Sequence, residues 1–189
     1  MLAPHSEVEL RLFSDMLSTT TFIGEVGLDF AKEGMKTEGA QRAAFEFVLK
    51  QIRGKGKILS IHSRKAELAV LEALNEYDTS SAIFHWFTGE SSALEKVVTG
   101  GYFISINGSM LDNEKRRSQI RDLPHSQVLL ETDGPFGKLA SKPARPKDIP
   151  IIAQRLAGLW KVSSSVVAHQ VSENFRRLLS LAETNKRSA

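Results

Sequence analysis

The chain has 189 residues, of which 41% are hydrophobic and 25% charged, proportions that suit one soluble globular domain with a substantial core. No run approaches the roughly 18 apolar residues needed to span a membrane, no basic start followed by an apolar stretch marks a secretory signal, and the absence of cysteine excludes disulfides and thiolate metal sites. The net charge of +3 is compatible with a polyanionic substrate without specifying one, and the cytoplasm is the expected compartment.

Apolar residues recur at helical spacing over residues 6 to 18, at Val8, Leu12, Phe13, Met16 and Leu17. A first strand is predicted at 21 to 25, and a loop with Gly34 at 30 to 36. A helix at 37 to 53 presents Phe45, Val48, Leu49 and Ile52 on one face and ends at Gly54 and Gly56. A strand then runs to His62, a helix over 64 to 77 turns Val70, Leu71 and Leu74 inward, and another strand reaches His85. Ser92 and Glu95 have the spacing of a capping box that opens a short helix. A strand at 102 to 107 follows Gly100-Gly101. Asp112 is the expected N-cap of a helix to 122, and Pro124 precedes a strand that ends at Asp133.

Residues 134 to 148 read as a loop rich in Gly, Pro and Lys. Pro146 fits the first turn of a helix with Ile149, Ile152, Ala153, Leu156, Leu159 and Trp160 on its face. The last helix starts near Ser163 to Ser165 and is expected to bury Val167, Val171, Phe175 and Leu178, with a frayed polar tail from 184. Strand and helix alternate throughout, which implies a parallel sheet with crossover helices and an active site at the carboxyl ends of the strands. The natural architecture is α/β of the (β/α)8 barrel type. Only five strands are predicted, so the barrel is expected to be incomplete and to lack about its first three strands, with the shortfall at the N-terminus.

The five apolar runs end in polar residues: Phe22-Ile23-Gly24 in Glu25, Ile58 to Ile61 in His62, Ala82-Ile83-Phe84 in His85, Tyr102 to Ile106 in Asn107, and Val128-Leu129-Leu130 in Glu131-Thr132-Asp133. A carboxylate at the mouth of a buried strand is costly unless something pairs with it. Imidazole and carboxylate groups gathered there suit one or two hard or borderline divalent ions, and a metal pair can activate water and clamp a phosphoryl group. Each residue also has a plain structural reading, as a hydrogen-bonded core histidine, a helix cap or a salt-bridge partner. The repetition at successive strand ends favours the ligand reading.

Four blocks resemble the TatD-type metal-dependent deoxyribonucleases of the amidohydrolase superfamily: Gly24-Glu25-Val26-Gly27-Leu28-Asp29-Phe30, His62-Ser63-Arg64, His85-Trp86-Phe87-Thr88-Gly89 and Glu131-Thr132-Asp133-Gly134-Pro135. Ser105-Ile106-Asn107 and Asn174-Phe175 also fall where that family has similar residues, and the blocks span residues 4 to 180 in family order. Trp86 and Gly134-Pro135-Phe136 resemble the subgroup found in Qat-type anti-phage systems. The resemblance implies a barrel, two divalent ions such as Mg2+ or Mn2+, and hydrolysis of phosphodiesters from a 3′ end of single-stranded DNA. By the same resemblance Glu25 would bridge the metals and His62 and His85 would complete one site. Asp133 would ligate the other metal and orient the attacking water as general base.

Arg64 could grip a substrate phosphate or sit in a surface salt bridge. Ser63, Ser105 and Asn107 could line the cleft or bond only neighbouring backbone. Asp29 is expected to order the loop after Glu25 rather than touch metal. Trp86 and Phe87 could stack a base, though such aromatics more often belong to a core. Lys115-Arg116-Arg117 and the group Lys138, Lys142, Arg145 and Lys147 could track a phosphate backbone. The first cluster more often marks a solvated helix face, and the second follows Asp133 directly.

The family's His-x-His, which supplies two ligands to the metal shared with Asp133, is absent, and His5 does not replace it. The second metal site would then keep only Glu25 and Asp133. The chain is therefore expected to be a single barrel domain truncated at its N-terminus, with a partner protein as one means of covering the missing strands. The alternative to a nuclease is a non-catalytic subunit that binds DNA or a partner, and a third possibility is another hydrolysis on the same fold.

Overall fold

The computed structural model describes residues 7–187, so His5 and the residues around it lie outside the described part. Five strands form one parallel sheet in the order of the chain: β1 (Phe22–Gly27), β2 (Ile58–His62), β3 (Ala82–His85), β4 (Phe103–Ile106) and β5 (Val128–Leu130). Among the described residues the sheet does not close, and β1 and β5 are its two edges.

The helices are α1 (Glu7–Met16), α2 (Glu38–Ile52), α3 (Glu67–Glu76), α4 (Ser91–Thr99), α5 (Gly108–Asp112), α6 (Glu114–Arg121), α7 (Ile149–Trp160) and α8 (Ser164–Arg187). Two short strands, β6 (Lys138–Leu139) and β7 (Lys142–Pro143), make a hairpin inside the segment expected to be plain loop. Ala140 and Ser141 join them, both with positive φ (48° and 65°), the backbone that a two-residue hairpin turn requires.

Alternation along the strands divides the core in two. Leu59, Ile61, Phe84, Ile104 and Val128 belong to the main core with α2, α3, α4 and α7, where Phe45, Leu49, Val70, Leu74 and Leu156 are buried as their spacing predicts. Ile58, Phe103 and Leu129 point to the other face, where Leu178 and Ala182 of α8 cover them near the strand starts. His62, His85, Ser105 and Glu131 share the parity of this second group. They therefore lie further along the face that α8 covers, at the carboxyl ends of the strands.

Several boundaries differ from the sequence expectations. β5 stops at Leu130, so Glu131 to Asp133 already belong to the following loop. The Ser92–Glu95 capping box does not form; the N-cap lies two residues earlier, at Glu90, which makes no side-chain cap bond. Asp112 ends α5 and does not cap the next helix, whose cap is Asn113, accepting from the N–H of Arg116 at 3.0 Å. α8 continues through 184 to Arg187 without fraying.

Phe175 is 39% exposed and stacks on exposed Phe22 of β1, with ring centroids 6.0 Å apart. The inward position of that turn belongs to Asn174, whose amide donates 2.7 Å bonds to the carbonyls of His125 and Val128. α1 forms as expected, but Val8, Leu12 and Met16 are exposed; Leu17, just beyond it, is buried, and Phe13 meets Phe47 edge-on.

Candidate active site

Register brings the ligating residues together. Gly27 pairs with His62 and His85 with Ser105, while Ile61 opposite Phe84 sets His62 beside His85. Three steps on β1, Ile23 to Val26, match two on β2, Leu59 to Ile61, so β1 carries an irregularity where Glu25 sits. Such irregularities redirect side chains near active sites. Gly27, at φ 137°, runs so close to β2 that a Cβ there would lie 2.0 Å from the His62 carbonyl oxygen.

Glu25 Oε1 lies 2.6 Å from His62 Nδ1 and 2.7 Å from His85 Nε2, and the two ring nitrogens are 3.4 Å apart. Each of the three residues offers one donor atom, all within 4.8 Å of one another. Ligands about 2.1 Å from a shared ion in octahedral geometry stand ~3 Å apart, so the spacing and the donor chemistry, one carboxylate and two imidazoles, fit a borderline divalent ion. The two imidazoles, His62 foremost, hold the Glu25 carboxyl far below the usual carboxylate range against the opposing effect of burial. At His85 burial works against the imidazolium, but Glu25, Glu131 and Asp133 outweigh it and its pKa lies above the ordinary histidine value.

Asp133 stands apart from this cluster. Its Oδ1 is 4.0 Å from His85 Nδ1, the ring nitrogen that faces away from Glu25. Its φ of 48° places it in the left-handed region, and its carbonyl accepts the N–H of Gly137 at 2.6 Å. Burial raises its carboxyl and the Glu25 carboxylate adds to the rise, while the two histidines pull the other way.

Glu131 is the residue whose part the sequence left unassigned. Its Oε1 accepts from the Trp86 backbone N–H at 3.0 Å and from Asn107 Nδ2 at 3.1 Å, and its Oε2 accepts from the Ser105 hydroxyl. Burial pushes its carboxyl up. The two adjacent acids closing the apolar run at 128–130 were the available signal, but adjacency alone does not say which faces the cleft. Trp86 lies at φ 38°, a conformation that costs a non-glycine residue about 1–2 kcal/mol, and its bond to Glu131 helps to hold it there.

The remaining sequence candidates fall as follows. Ser105 and Asn107 are buried and turned to Glu131, and Asn107 Oδ1 also caps α5 by accepting from Met110 N–H at 3.0 Å. Ser63 is buried, and its carbonyl accepts the N–H of Ala66 at the entry to α3. Arg64 is exposed and is in no salt bridge among the described residues. Asp29 orders its loop as expected, Oδ1 accepting from Ala31 N–H at 2.8 Å, and its Oδ2 also reaches His62 Nε2 at 3.1 Å. Phe87 is a core residue, and Trp86 is half-buried against the core.

The sequence profile described as TatD related DNase matches residues 4–180. The chain belongs to this family. Among its TatD relatives, the 3′-5′ ssDNA/RNA exonuclease TatD of Edwardsiella piscicida is 31% identical over 169 residues, covering 83% of this chain and 64% of that protein. The uncharacterized metal-dependent hydrolase TatD of Mycobacterium tuberculosis is 29% identical over 171 residues, covering 84% of this chain and 64% of its own length. The chain thus spans less than two thirds of each relative. The crystal structure of YJJV, a TatD homologue from Escherichia coli K12, superposes with a TM-score of 0.83 at 26% identity, over 94% of this chain and 74% of that one. The five-stranded sheet is therefore a TatD barrel wall, left open here as the strand count predicted.

Proposed function

We propose that this TatD-family chain is a metal-dependent phosphodiesterase that trims single-stranded DNA from a 3′ end. The observation that carries the reading is the convergence of Glu25, His62 and His85 on one point at the carboxyl end of the sheet, with Asp133 beside them. Glu25, His62 and His85 would hold one divalent ion, Mg2+ or Mn2+, and Asp133 with Glu25 would contribute to a second. Such an ion supplies Lewis acidity, which makes water a competent nucleophile at neutral pH and withdraws charge from phosphoryl oxygens.

The chain's own residues divide the remaining work. Asp133, with its carboxyl raised by burial, accepts the proton of the attacking water. Glu131, held by Ser105 and Asn107, lies 3.9 Å from His85 Nδ1, and its charge favours the imidazolium of the ring whose other nitrogen points to Glu25. Arg64, exposed, in no salt bridge among the described residues and two residues beyond His62, would grip a non-bridging phosphate oxygen. Ser63 between them sets the turn that presents both. The likeness of Trp86 and Gly134-Pro135-Phe136 to the anti-phage subgroup extends the reading to a defence role in the cytoplasm. The exposed apolar residues Val8, Leu12 and Met16 of α1 supply surface that a partner protein could bury.

The test is digestion of end-labelled single-stranded DNA in Mn2+ or Mg2+ against EDTA, with Asp133→Ala alongside. Shortening from the 3′ end that needs metal and is lost in the variant supports the reading. Binding of DNA with no metal-dependent cleavage would replace it with the non-catalytic binding subunit.

A further inference from the structure

The segment after Asp133 is built as a rigid bridge rather than a free loop. Gly137 N–H donates to the Asp133 carbonyl at 2.6 Å and Ala144 N–H to the Gly137 carbonyl at 2.9 Å. Gly134 packs so closely on the returning strand that a Cβ would lie 1.9 Å from the Ala144 carbonyl oxygen. The β6–β7 hairpin is thereby tied to the turn that carries Asp133.

Two features of this bridge face solvent. Phe136, at the tip of the Asp133 turn, is 76% exposed, more than any other large hydrophobic residue described. Between the hairpin and α7 lies a groove of about 770 Å³ lined by Lys142, Arg145, Lys147 and Arg155, with Asp112 and Asp148 as its acids. Both acids are already engaged, Asp112 by Arg155 at 2.6 Å and Asp148 by the Arg145 N–H at 2.8 Å. Lys142, Arg145 and Lys147 are exposed and in no ion pair among the described residues. The other cationic cluster differs: Lys115 pairs with Glu90 at 2.7 Å, and Arg116 donates to the carbonyls of Thr88 and Gly89.

We propose that Phe136 and the Lys142–Arg145–Lys147 groove form a binding track for single-stranded nucleic acid leading away from Asp133, with a base stacked on Phe136 and phosphates along the groove. An exposed aromatic ring on the same hydrogen-bonded bridge as exposed cations is the combination that distinguishes a single strand, whose bases are free to stack, from a duplex, whose bases are not. The inference rests on the nuclease reading only for which end of the strand lies at Asp133; binding itself needs neither metal nor cleavage.

The test is fluorescence anisotropy of a labelled 12-nucleotide oligo-dT in EDTA, as a function of salt, with the chain as it stands. Lys142→Ala/Arg145→Ala/Lys147→Ala should weaken binding at least tenfold and flatten the log–log salt slope by about 2, given ~0.7 per phosphate contact for single strands. Phe136→Ala should weaken it about five- to a hundredfold, and Phe136→Trp should restore it. Lys115→Ala/Arg117→Ala should bind as the parent does. Unchanged affinity in the triple variant or in Phe136→Ala, or a 12-base-pair duplex bound as tightly as the single strand, would overturn the proposal. Hydrolysis of a small phosphodiester such as bis-p-nitrophenyl phosphate separates the two readings. Its cleavage without oligonucleotide binding removes the track alone, and oligonucleotide binding without any cleavage removes the nuclease reading alone.

Discussion

His62 Nε2 lies 3.1 Å from Asp29 Oδ2, on the side of the ring opposite the nitrogen that meets Glu25. A carboxylate in that position accepts the Nε2 proton and so would leave the Nδ1 lone pair to the ion that His62 and Glu25 would share, which is how an outer carboxylate orients a metal-binding imidazole. Asp29 is itself fixed: its N–H donates to Oε1 of buried Gln41 at 2.7 Å, and the Gln41 amide donates to the Gly34 carbonyl at 2.7 Å. Asp29→Ala should therefore lower the affinity for Mn2+ by about 10- to 100-fold, measured by isothermal titration calorimetry, with the circular dichroism spectrum unchanged. Parental affinity in the variant would mean that Asp29 only orders its loop.

Glu131 gives the pH dependence a definite sign. Burial raises its carboxyl pKa in the folded chain above the unfolded value, near 4.3 for a free glutamate. The folded state then binds the proton more readily, so this contribution to stability is fully present below the unfolded pKa and is lost as pH rises through the folded one. Glu131→Gln cannot titrate. In urea unfolding with EDTA present, the stability of the parent minus that of Glu131→Gln should fall as pH rises from about 4.3, by at most ~1.4 kcal/mol per pH unit. A flat difference would show that Glu131 is solvated, and one that grows with pH would show that its hydrogen bonds, not burial, set its carboxyl.

Asn174 ties α8 to the residues entering β5 through two hydrogen bonds to backbone carbonyls while only 2% exposed. Asn174→Ala leaves both carbonyls short of a donor and should cost about 1–3 kcal/mol. Phe175→Ser, one residue on at the exposed stack with Phe22, should cost less. The midpoints of thermal or urea unfolding decide the order, and the reverse order would mean that the aromatic stack, not the amide, anchors the helix.

The same pair of residues shows where the sequence was legible and where it was not. Strand–helix alternation implies the parallel sheet, the five polar strand ends imply a site at its carboxyl edge, and the resemblance to the TatD-type nucleases groups Glu25, His62 and His85, which the fold brings together. Periodicity also placed Val167 and Leu178 inward, but it took Phe175 for the residue between them because an apolar pattern does not count an amide. Asn174 is inward because its partners are carbonyls on the strand entry, and those partners are distant in sequence. Glu131 was obscure for a related reason: Trp86 N–H, Ser105 and Asn107 reach it only once β3, β4 and β5 lie side by side. Asn113 took the cap expected of Asp112 because α5 intervenes before α6, and Asp112 serves Arg155 instead.

Titration of Mn2+ into EDTA-treated, dialysed protein decides whether Glu25, His62 and His85 hold a divalent ion. Binding should be saturable, lost in His62→Ala and in His85→Ala, and accompanied by release of protons, because the carboxylates around His85 raise its pKa and a ligating imidazole must be neutral. No saturable uptake by the parent chain, or uptake that His85→Ala leaves unchanged, would contradict it.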